Sequence, residues 1–79
     1  MSDEKKEYLQ VEVDRKYARE LLWIMSRTPG ITIYGSHPGH WGGSDIEFIC
    51  YYGDDESLAL LEIYVDNDYT IGGKVKFDR

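Results

Sequence analysis

No lysine and no arginine occurs between Thr28 and Gly73, a stretch of 46 residues. All nine basic residues lie outside it, while eight carboxylates lie inside: Asp45, Glu47, Asp54, Asp55, Glu56, Glu62, Asp66 and Asp68. The net charge of −6 therefore divides as zero over residues 1–27, −8 over 28–73 and +2 over 74–79. A regional negative field selects a positively charged partner. Phosphates repel a chain of this charge unless a concentrated basic stripe compensates, which argues against direct nucleic-acid binding.

Other scarcities narrow the class further. A single cysteine, Cys50, excludes an internal disulfide and fits a reducing compartment, so the expected location is cytoplasmic. The longest apolar run, Leu21 to Met25, is five residues, far short of the ~20 that span a bilayer. Met1 to Glu7 is charged and has no apolar centre of the kind a signal peptide needs. Residues 1–7 are expected to be disordered or frayed, and residues 8–79 to form a single α+β domain. At 79 residues one hydrophobic core contributes only about 3–5 kcal/mol of net stability, so a homodimer is plausible.

What is present supports a folded domain: 42% hydrophobic residues, a third of them aromatic. Leu9, Val11 and Val13 alternate with polar neighbours, the period of a half-buried strand. Asp14 follows as a natural helix N-cap. Tyr17, Ala18, Leu21, Leu22, Ile24 and Met25 then recur at spacings of three and four, which predicts an amphipathic helix. Thr28-Pro29-Gly30 ends it. Ile31 to Gly35 reads as a short strand, and Ser36 to Ser44, rich in glycine, as a loop. Three more strands are expected at 45–52, 58–65 and 69–77, joined by turn-like segments.

These elements predict an antiparallel sheet of four to five strands with one helix packed on one face, in the order β-α-β-β-β-β. Pairing 45–52 with 58–65 puts Ile46, Phe48 and Cys50 inward. It leaves Asp45, Glu47, Tyr51, Glu62, Tyr64 and Asp66 on the outer face. Together with the acidic turns Asp54-Asp55-Glu56 and Asp66–Asp68, and with Trp41 as an adaptable contact residue, these form the expected partner-binding site. Carboxylates can take the place of phosphates in an arginine-lined groove, because an arginine fork accepts either anion.

Catalytic chemistry is weakly marked. His37 and His40 lie three apart beside Asp45 and Cys50, but that pattern lacks the spacing of a zinc site, and no metal or cofactor is assigned. Either histidine could titrate near neutral pH, yet no serine or cysteine is evidently paired with it as a nucleophile. Gly39-His40-Trp41-Gly42-Gly43 lacks the lysine and Ser/Thr of a phosphate loop. In size, acidity and lack of a catalytic signature the chain resembles small phage or mobile-element inhibitors, such as anti-CRISPR or other DNA-mimicking proteins. The resemblance is compositional and transfers no residues. It implies a non-enzymatic protein that blocks a basic groove, binding nucleic acid or substrate, on a larger protein. Two alternatives stand beside it. One is a homodimeric structural or regulatory module using the outer sheet face; the other is a small histidine-dependent or metal-binding enzyme.

Overall fold

The computed structural model describes residues 8–41 and 44–78; the side chains of His40, Trp41, Ser44 and Asp78 are outside the description. Strand β1, Leu9–Asp14, runs into a single 3-10 turn, Arg15–Tyr17, and then into helix α1, Ala18–Arg27. Strands β2, Thr32–Trp41, and β3, Ser44–Tyr52, form a long hairpin. Helix α2, Asp55–Asp66, follows, and β4, Val75–Asp78, closes the chain. The sheet is antiparallel throughout, in the order β2-β3-β1-β4. This element order and strand order are those of the split β-α-β arrangement.

The α+β class holds, but the expected single helix and five-strand order do not: among the described residues there are two α-helices and four strands. The segment expected as a strand at 58–65 is the body of α2. Its buried residues, Ser57, Leu58, Leu61 and Val65, recur at helical rather than alternating spacing. Asp54 caps it, its carboxylate accepting the Ser57 amide at 2.8 Å. Leu58-Ala59-Leu60-Leu61-Glu62 is composed of strong helix formers without β-branching.

The expected loop at 36–44 is largely strand. Pro38 is tolerated because β2 is an edge strand, paired on one side only. Gly39 reflects close packing rather than a loop, since a Cβ there would run into the Phe48 ring. The expected strand at 69–77 is mostly turn. The Asp68 carboxylate accepts the amides of Thr70 at 2.7 Å and Ile71 at 2.9 Å, and Gly73 has a φ of 80°, so only Val75–Asp78 pairs with β1.

Correct pairing reverses the faces of β3. Val11 lies opposite Ile49 and Leu9 opposite Tyr51, so the odd-numbered residues of β1 and β3 point together. They meet Ala18, Leu21, Ile24 and Met25 of α1 and Leu58, Leu61 and Val65 of α2 in one core. Both helices therefore cover the same face of the sheet. They run antiparallel: Glu20 near the start of α1 meets Asp68 just beyond α2, while Gly30, just past α1, abuts Ser57 in the first turn of α2. Gly30 has a φ of 87°, and any Cβ there would land on the Ser57 hydroxyl, so both backbone and space demand glycine.

Candidate binding surfaces

The structure divides the residues expected to form one acidic platform. Tyr51, expected outward, is 1% exposed in the core. Asp45 and Glu47 lie beside Arg15, whose guanidinium is 3.7 Å from Asp45 Oδ2 and 3.8 Å from Glu47 Oε1. These contacts are long and partly wet, so they stabilise little, but they offset much of the local negative charge. The Trp41 side chain lies outside the described residues. No outward sheet face carries Asp45, Glu47, Glu62, Tyr64 and Asp66 together, because 58–65 is not in the sheet.

The remaining acids converge on α2. Asp54, Asp55 and Glu56 are exposed at its N-terminal end, and Asp66 is exposed in its last turn. Glu62 is half-buried between them. Asp55, Glu62 and Asp66 stand at i, i+7 and i+11, which places them on one flank of the helix. With a rise of about 1.5 Å per residue, they lie roughly 10 Å and 6 Å apart along the axis. The opposite flank turns toward α1, where Tyr64 shares a groove with Trp23, Ile24 and Arg27. Arg27 lies over the Trp23 ring at 4.7 Å.

Two of these carboxylates also have local structural work. The Ser57 amide, and then its side chain, hold Asp54 below the usual carboxylate range. Asp68 is subject to opposing influences. Burial works against its charge, but the amides of Ile71 and Thr70 and the Glu20 carboxyl outweigh it, and the net shift is downward. Its neighbour Glu20 is pushed up, first by the hydrogen bond to Asp68, then by desolvation and like-charge repulsion. When Glu20 takes up a proton it can donate to the Asp68 carboxylate.

The face of the sheet away from the helices is a different surface, and sequence reasoning missed it. Register places Gln10, Glu12, Phe48, Cys50, His37 and Lys76 on it. His37 stacks on Phe48 with ring centroids 5.3 Å apart. Cys50, expected inward, sits here near Gln10 Oε1. At one end, Tyr8 and Tyr34 meet edge to face at 4.3 Å, beside Tyr52. The signal available in the sequence was the alternation Tyr8, Gln10, Glu12, whose partners become visible only once β1 is known to lie next to β3.

Among the described residues, no three of His, Cys, Asp and Glu group as metal ligands, and no helix is long and apolar enough to cross a membrane. Comparison with protein-family models, with curated proteins and with solved structures finds no match to this chain.

Proposed function

We propose that this chain is a non-enzymatic acidic binding protein whose α2 surface occupies a basic groove of a larger protein, keeping out the nucleic acid or other anionic substrate held there. The observation that carries this reading is the charge of α2. Asp55, Glu56, Glu62 and Asp66 lie along one helix, flanked by Asp54 and Asp68, with no cation between Thr28 and Gly73. A merely solubilising surface mixes both signs. Asp66 is informative because a carboxylate in the last turn of a helix opposes the macrodipole, so helix stability does not account for it. Presentation on a helix fixes the carboxylates at regular intervals, which suits arginine forks lining a groove. The lone Cys50 suits action in the cytoplasm.

The test is capture from the source cell on immobilised chain at low and high salt. Wild type should retain a basic protein at low salt and release it at high salt, because screening shortens the reach of these charges. The Asp55→Lys, Glu62→Lys, Asp66→Lys variant should retain none of it, while His37→Ala with His40→Ala behaves as wild type. Equal retention by the charge-reversed chain would overturn the reading.

A further inference from the structure

We propose that the uncovered face of the sheet is where two copies of this chain associate, sheet against sheet, with the helices facing outward. Large apolar rings stand in water on this face: Tyr8 is 58% exposed, Tyr34 43% and Tyr52 42%, and beyond Cys50 along the same hairpin lie the stacked His37 and Phe48. Contiguous exposed apolar area marks a contact surface, and tyrosine supplies stiff area with a polar tip.

Charge selects the occupant. Among the described residues of this face and its rim, Glu12 and Asp14 are matched by Lys74 and Lys76, which share a cleft over Ile46. Glu12 and Lys76 are paired neighbours on β1 and β4. Over the described side chains the face is therefore close to neutral on a molecule of charge −6, and it offers a strongly basic or acidic partner no net charge to complement. A second copy has the same neutral, aromatic surface. Two sheets packed face to face lie about 10 Å apart. With each helix layer about 10 Å further out, the two α2 helices stand roughly 30 Å apart, several Debye lengths at physiological salt. Association through α2 would instead press together two helices that each carry Asp55, Glu56, Glu62 and Asp66 and no cation. Strand spacing and rise give the four strands a projected area of roughly 500 Å². Two such faces together bury about 1,000 Å², the lower bound for a specific interface. The dimer would present two acidic helices on opposite sides.

Light scattering during gel filtration of the full chain tests this. The expected mass is twice the 9.2 kDa of one chain. Tyr34→Asp with Tyr52→Asp, both at exposed positions, should weaken association about 100-fold, the effect of losing roughly 2.8 kcal/mol of contact. The circular dichroism spectrum should remain that of a folded chain, while the unfolding midpoint falls with the loss of the dimer. The Asp55→Lys, Glu62→Lys, Asp66→Lys variant should remain dimeric, so loss of a basic partner and loss of the dimer read out separately. A wild type that stays monomeric at millimolar concentration would overturn the proposal. So would a dimer that survives the tyrosine changes, or one that only the α2 changes dissolve.

Discussion

The two helices lie side by side on one face of the sheet, yet they divide their side chains differently. In α1 polarity follows position at all but one residue: Ala18, Leu21, Ile24 and Met25 are buried and Arg19, Ser26 and Arg27 are exposed, while Trp23 is 55% exposed beneath the Arg27 guanidinium. α2 has more apolar residues than its share of the core accepts. Leu58, Leu61 and Val65 go inside, but Ile63 remains 54% and Tyr64 43% exposed. The cations differ as sharply, with Arg19 and Arg27 on α1 and none on α2. α1 is a scaffold helix whose wet side carries the cations and one exposed ring, Trp23. α2 carries core residues, surplus apolar surface and the acidic flank on only three turns, so substitutions along it should have very unequal effects.

The largest expected difference lies within α2. Leu61 is fully buried, so Leu61→Ala should cost about 2–5 kcal/mol. Ile63→Ala, two residues away and mostly exposed, should stay within about 0.5 kcal/mol. Urea denaturation measures both, and Leu61→Val keeps the comparison readable if the alanine variant does not fold. A strand over 58–65 would turn Leu61 and Ile63 to the same face and give similar losses, so near-equal values would break the distinction between the helices.

That pair of residues also shows what was legible in the sequence. The β1 alternation, the Asp14 turn and the α1 stripe could be read locally, because each depends on spacing within one element. The run from Leu58 to Val65 could not be read from periodicity: apolar residues at nearly every position satisfy a period of two as well as 3.6. The deciding signal was at its edge, where Asp54-Asp55-Glu56 supplies a cap and an acidic first turn. Once 58–65 was given to the sheet, β3 acquired the wrong neighbour and every residue on it changed face, which placed Tyr51 outside and Cys50 inside. The regional charge needed no fold to be seen, but its distribution did. Only the structure shows that Arg15 draws off Asp45 and Glu47 and that the other acids gather on α2.

A smaller effect should separate the helix starts. α2 has a side-chain cap in Asp54, whereas Tyr17 at the start of α1 makes no such hydrogen bond. Asp54→Ala should lower the thermal midpoint by a few degrees at neutral pH. Because the folded state holds the Asp54 carboxyl below its ordinary range, its contribution is present above the unfolded value and is lost as pH falls through the folded one. The gap between wild type and variant should therefore close in acid. Tyr17→Ala tests packing instead, and its deficit should not depend on pH over that window. A gap for Asp54→Ala that is constant with pH would mean that the charge does not strengthen the cap.

The smallest effect is expected where the helices meet, at Glu20 and Asp68. Here the sign is reversed, since the Glu20 carboxyl is pushed up in the folded state. Its favourable contribution is complete below the unfolded value and is lost as pH rises through the folded one. At neutral pH two ionised carboxylates face each other across the exposed junction. Glu20→Gln keeps a hydrogen-bond donor for Asp68 and removes one of the charges. The variant should therefore unfold slightly above wild type at neutral pH and level with it in mild acid. The gain should be small because water screens both groups. A thermal scan series across pH decides it. If Glu20→Gln lowers the midpoint at neutral pH, the two carboxylates are not repelling one another, and the antiparallel alignment that sets the start of α1 beside the end of α2 needs another explanation.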